Sequence, residues 1–146
     1  MVSPAERLGS RTGYVLIKLG EEVLSAAEYA LAPLGLRAKH VSVLTLIERH
    51  RLSQQELSTA IGLDRTTMVG LIDDLERTGL AVRRRDEADR RRYVVNLTDA
   101  GASALRRVET LLDETESELF ADLSAPERQA LRTLAERALD TARGRR

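Results

Sequence analysis

Apolar residues recur at three- and four-residue steps along the first part of the chain: Leu16, Leu19, Val23, Ala27, Ala30, Leu31 and Leu34. That period predicts one long amphipathic helix over 12–34, closed by Gly35. A second helix is predicted over 38–49, with Val41, Leu44 and Ile47 inward. Ser53-Gln54-Gln55-Glu56 has the form of a capping box, in which the serine takes an orphan amide and the glutamate reaches back to the cap. The helix it opens is short, with Leu57, Ala60 and Ile61 apolar and Gly62 at its end. Asp64 then caps DRTTMVGLIDDLERTG, in which Met68, Leu71, Ile72 and Leu75 follow the i, i+3, i+4, i+7 pattern and Gly79 is the stop.

The period next changes to two. Leu80 and Val82 precede a run of arginines, and Tyr93, Val95 and Leu97 alternate with Arg92, Val94 and Asn96. Two strands joined by a polar tip at 86–91 are expected, with Tyr93, Val95 and Leu97 on one face. After Thr98, an N-cap, Leu105, Val108, Leu112, Thr115 and Leu119 step by 3, 4, 3, 4 in a seam like that of a coiled coil. Ser124-Ala125-Pro126-Glu127 is a second capping box with proline in the first turn. It opens a last helix with Leu131, Leu134, Ala138 and Leu139 apolar, and the RGRR tail is expected to fray.

A capped short helix, a glycine turn, a second capped helix and a hairpin make a winged helix-turn-helix. The expected class is α+β, mostly α, with one β-hairpin wing. All 146 residues are read as a single domain. Residues 36–100 form the winged lobe, and 10–35 with 101–146 form a helical lobe.

Charge changes the picture at one place. The chain holds 23 basic and 23 acidic residues, yet six arginines and three acids crowd into 83–92. A major groove about 12 Å wide admits one helix, whose amino end meets phosphates and base edges. With its apolar stripe turned to the core, the second helix of the motif would present Arg65, Thr66, Val69, Gly70 and Asp73. Arg65 can fork onto guanine or phosphate, Thr66 and Thr67 can donate to phosphate, and Val69 can touch a thymine methyl. Ser53 and Gln54, which open the supporting helix, are further candidate DNA contacts. The wing tip would reach a minor groove, whose potential attracts arginine. Asp89 would hold a neighbouring guanidinium there. A winged helix that docks protein has no need of such a basic tip.

The run LSQQELSTAIGLDRTTMVGLIDDLERTGLAVRRRDEADRRRYVVNLTDAG, Leu52 to Gly101, resembles the MarR family of bacterial transcriptional regulators. LDRTT, the L-x-x-x-GL ending at Leu80 and DRRRYVVNLTDAG carry the likeness. The resemblance implies a homodimer joined by its terminal helices and bound to a pseudo-palindromic operator, with double-stranded DNA as partner. It also implies a D-x-R wing, here Asp89-Arg90-Arg91, with Arg91 entering the minor groove. Gly70 stands where many members carry a basic residue, and Asp74 where arginine is frequent. The family further implies a cleft for a phenolic or carboxylate effector that releases a repressor. Tyr14, Lys18, Tyr29 and His40 are the polar candidates from the first two helices.

Other chemistry finds little support. There is no nucleophile elbow, phosphate-binding glycine loop or metal-ligand set, so no enzyme, cofactor or metal is expected. His40 and His50 are ten residues apart, unlike a metal-binding i, i+4 pair. The chain has no cysteine, no signal-like leader and no apolar run of the ~20 residues that a membrane span needs. A cytoplasmic location, with no membrane partner, is the expectation.

Overall fold

The computed structural model describes residues 4–145. Helix α1 (Pro4–Gly9) leads into α2 (Thr12–Leu31), followed by α3 (Ala38–Arg49), α4 (Gln54–Ile61) and α5 (Arg65–Arg77). Strands β1 (Ala81–Arg85) and β2 (Tyr93–Leu97) make the hairpin, and α6 (Asp99–Leu119) and α7 (Ala125–Gly144) complete the chain. The class is α+β, mostly α, as the periodicities predict. Among the described residues, no single helix is long and apolar enough to cross a membrane.

The core gathers where α3, α5, the hairpin and the first half of α6 meet. Val43 and Leu44 of α3, Met68, Ile72 and Leu75 of α5, Val95 of β2 and Leu105 and Val108 of α6 are buried together. The stripe read from α5 is therefore interior. β1 and β2 pair antiparallel from Ala81 opposite Leu97 to Arg85 opposite Tyr93. Their root is hooked to the rest of the motif, because the Val95 amide donates to the Leu52 carbonyl just before α4.

Several local expectations need correction. The long first helix becomes a 3-10 turn at Ala32–Leu34. Pro33 lacks the amide that a continuing α-helix needs, and Gly35 then turns with φ of 67°. The short α1 had no sequence expectation. In β2, Tyr93 is 53% exposed while Val94 is buried beside Val95, so the inward pair is consecutive rather than alternating. Tyr93 instead lies under the Arg85 guanidinium, 5.2 Å from ring centroid to the charge. Asp86, expected in a polar tip, is only 8% exposed. The tail is helical through Gly144 rather than frayed from Arg143, and Arg146 lies outside the described residues.

Candidate nucleic-acid interface

Caps fix the two helices of the motif. The Ser53 hydroxyl accepts the Glu56 amide at 3.2 Å, and Glu56 accepts the Ser53 amide at 2.7 Å. That backbone hydrogen bond from Ser53, with the nearby Arg92 charge, holds the Glu56 carboxyl below its ordinary value. Gly62, with φ of 75°, supplies the left-handed turn that an L side chain resists. Asp64 then caps α5, accepting the Thr67 hydroxyl at 2.6 Å and the Thr67 amide at 2.8 Å. Those bonds, the hydroxyl's first, lower the Asp64 carboxyl from its ordinary range. The Thr67 hydroxyl proton is thereby spent inside the cap, which corrects the expectation that Thr67 donates to phosphate. Arg65, Thr66 and Gly70 are exposed on the outer face, and Val69 is half-buried.

The six wing arginines divide into anchors and free charges. Arg83 Nη1 donates to Glu76 Oε2 at 2.6 Å, and its Nη2 reaches Asp73 at 2.8 Å and Gln54 at 3.1 Å. Asp73 and Gln54 are therefore turned to the wing root. Arg92 donates to Glu56 and to the Arg51 carbonyl at 3.1 Å, while its Nε lies 3.7 Å from Asp86. One arginine thus clamps the outgoing strand to α5 and α4, and the other clamps the returning strand to the start of α4. Arg85 spans the tip, donating to the Arg90 carbonyl at 2.9 Å.

Among the described residues, no hydrogen bond or ion pair engages the guanidinium of Arg65, Arg84, Arg90 or Arg91. Asp89 does not hold a guanidinium, which corrects the role expected for it. Its Oδ1 accepts the Arg91 backbone amide at 3.1 Å, a two-residue turn that sets where the Arg91 side chain leaves the backbone. Asp86 does the same for Ala88 at 3.1 Å.

The four candidate effector residues are not brought together. His40 is 4% exposed. Its Nδ1 accepts the Arg37 amide at 3.0 Å, and its Nε2 lies 3.1 Å from Asp74 Oδ2. Both ring nitrogens are used within the protein, so His40 is a structural residue and not an effector ligand. Tyr29 is 86% exposed on α2. Lys18 pairs with Glu21 at 2.7 Å and sits 5.9 Å from the Tyr14 ring centroid. None of the four lines the cleft of about 670 Å³ between α2, α6 and α7, whose walls include Leu16, Leu19, Phe120, Arg128, Leu131 and Arg132.

Sequence reasoning missed three contributors. In the sequence Arg83 and Arg92 are indistinguishable from the rest of the arginine cluster, because each faces an acid that lies in a neighbouring element. Gly101 carries no packing signal in the sequence. A Cβ there would stand 2.0 Å from the Leu80 carbonyl oxygen, at the crossing where α6 passes the exit of α5.

Comparison with known proteins agrees with this geometry. A family model described as MarR family matches residues 34–92. A putative transcriptional regulatory protein for the hcr operon of Thauera aromatica is 38% identical over 86 residues, 59% of this chain and 52% of that protein. The match thus spans about half the length of that curated relative. The transcriptional repressor CouR bound to a 23-mer DNA duplex superposes with a TM-score of 0.81 at 31% identity, covering 90% of this chain and 94% of that one. CouR from Rhodococcus jostii bound to p-coumaroyl-CoA gives 0.76 at 30% identity, over 88% and 92%. A MarR-family regulator from Rhodococcus gives 0.77 at 28% identity, over 93% and 94%. With the capped helix pair, the clamped basic wing and these likenesses together, the chain belongs to the MarR family.

Proposed function

We propose that this chain is a sequence-specific DNA-binding transcriptional regulator that works as a homodimer on a pseudo-palindromic operator. The observation that carries the reading is the division of charge. Arg83 and Arg92 are consumed in holding the wing against α4 and α5, while among the described residues the guanidinium groups of Arg65, Arg84, Arg90 and Arg91 remain unpaired on that fixed frame. Preset cations beside the amino end of a helix suit a phosphate backbone, and α5 offers Arg65, Thr66, Val69 and Gly70 to base edges. In this reading residues 36–100 are the DNA-binding lobe, and 10–35 with 101–146 are the dimerisation lobe of one cytoplasmic protein.

Repression relieved by a small molecule is the regulatory mode we infer, supported by CouR, a repressor with structures on DNA and with p-coumaroyl-CoA. A phenolic or carboxylate effector would act by preferring a spacing of the two recognition helices that does not match the operator. Tyr14 and Lys18 lie exposed on α2, near Leu16 and Leu19 in the chain though outside the cleft lining, and are the effector contacts we retain.

The test is capture of genomic fragments by the full chain, followed by anisotropy titration of the enriched duplex and a scrambled duplex across salt. The enriched duplex should bind at least about 10³-fold more tightly. Arg91→Ala should weaken binding and reduce the salt slope by about one unit. Equal affinity for both duplexes would defeat specific recognition.

A further inference from the structure

A buried imidazole joins two helices that carry very different jobs. His40 sits in the first turn of α3, and Asp74 lies on α5, the helix proposed to enter the groove. Its Nδ1 accepts the Arg37 amide, so that nitrogen is unprotonated and the Nε2 proton points to Asp74. Asp74 is held from its other oxygen by Arg77 at 2.7 Å. On the far side, the adjoining Ala38 amide donates to Glu28 of α2 at 3.0 Å. Hydrogen bonds therefore run from α2 through the start of α3 and the imidazole to α5.

On its α3 side, where Nδ1 accepts the Arg37 amide, this arrangement accommodates only the neutral ring. A proton on Nδ1 would set an N–H against the Arg37 N–H, at the amino end of a helix, where positive charge is already disfavoured. At 4% exposure, water cannot easily take the place of the lost partner. The charged groups that the hydrogen bonds place about the ring are Asp74 and, behind it, Arg77 from α5, and Glu28 from α2, which binds the neighbouring Ala38 amide. Among the described residues, no other charged side chain bonds to it. The Asp74 carboxylate would keep its contact with an imidazolium, so the strain falls on the α3 side. Asp74 thus spends its charge on the frame and not on the outer face.

We propose that neutral His40 is a positioning residue that seats the recognition helix against α3, and that its protonation unseats that helix and weakens operator binding. The inference rests on the DNA-binding reading above. The sign of the effect is diagnostic, because added positive charge by itself strengthens attachment to any duplex.

The test titrates the enriched duplex with the full-length chain at pH 7.5 and 5.5 and constant ionic strength. The wild type should lose at least about ten-fold in affinity on acidification. His40→Gln places at this helix position an amide that still reaches back to the backbone N–H but does not titrate. Whatever its affinity at pH 7.5, that affinity should change by less than about two-fold on acidification, while His50→Gln should follow wild type. Matching pH profiles for wild type and His40→Gln would overturn the proposal. If His40→Gln does not fold, Asp74→Asn serves instead. Without the carboxylate that keeps its contact with an imidazolium, the loss of affinity between pH 7.5 and 5.5 should differ from that of wild type, and an equal loss would overturn the proposal. Amide exchange in the free protein separates this from failure of the DNA reading. Arg37 should lose protection on acidification in wild type but keep it in His40→Gln, and protection that persists in wild type rejects the imidazole tie whatever the duplex does.

Discussion

Gly101 shows how much can hang on the absence of one methylene. The Leu80 carbonyl accepts the Thr98 amide at 3.1 Å, and the Thr98 hydroxyl donates to the Gly79 carbonyl at 2.6 Å. The exit of α5 is thereby stitched to the start of α6. A side chain at 101 would meet Leu80 backbone at 2.0 Å and Leu97 Cδ1 at 2.7 Å. Backbone cannot swing aside as a flexible side-chain end does, so Gly101→Ala should destabilise the fold by about 1–3 kcal/mol, with the wing displaced. A thermal or urea melt reads this, and a wild-type midpoint would refute it. The arginines differ at the same scale. Six consecutive-looking charges became two clamps, one strap and three free ends because each found or missed a partner from another element. Arg83 met Glu76 and Asp73, and Arg92 met Glu56, while among the described residues the Arg91 guanidinium met no partner.

At the level of elements, caps decide where each helix starts. Ser53, Asp64, Thr98 and Ser124 all accept an amide three residues on, as their spacing predicts. These motifs were legible because every partner lies within one turn. Their carboxylates also make stability depend on pH. Asp64 is lowered from an ordinary 3.8 by the Thr67 hydroxyl and then the Thr67 amide, and Glu56 from 4.5 by the Ser53 amide and then Arg92. A carboxyl whose folded value is depressed stabilises the fold above its unfolded value and loses that contribution as pH falls through the folded one. The urea midpoint should therefore fall as pH drops below about 4.5. Asp64→Asn, which keeps an acceptor without the charge, should show a shallower decline, and an identical acid limb would contradict the assignment. The strand faces were less legible. Tyr93 and Val94 exchanged their expected exposures because the hairpin is held by the Leu52 bridge and its two clamps, not by alternation alone.

Over the whole molecule, apolar surface is distributed unevenly. The winged motif closes around a core completed by Leu105 and Val108 of α6, whereas α7 buries no residue and α2 buries only Leu31. Leu134 and Leu139 of α7 are 59% and 48% exposed, and Ile17 and Leu24 of α2 are also open. A second copy is the occupant we propose for this surface. Burying one leucine contributes about 1.5–3 kcal/mol, and a carboxylate in its place adds a desolvation cost. Leu139→Asp should therefore raise the dimer dissociation constant at least about ten-fold, as read by sedimentation velocity, with helix content kept. An unchanged association constant would mean that this face is not the interface.

Local physics made much of this protein readable from its residues alone. Helix starts, glycine stops, the buried stripe of α5 and the strand-to-strand turn each depend on neighbours within about one turn or one hairpin, and the order of those signals determined the winged helix-turn-helix. Tertiary structure decided the rest, because it depends on distance through space. It assigned Arg83 and Arg92 to the frame and left Arg91 at the tip, and it buried Asp86. It turned His40 from an effector candidate into a bridge to Asp74, 34 residues away in the chain, and it made Gly101 a crossing point. A one-dimensional pattern records which residues are charged or apolar; only the folded chain determines which charge has a partner and which apolar face is still waiting for one.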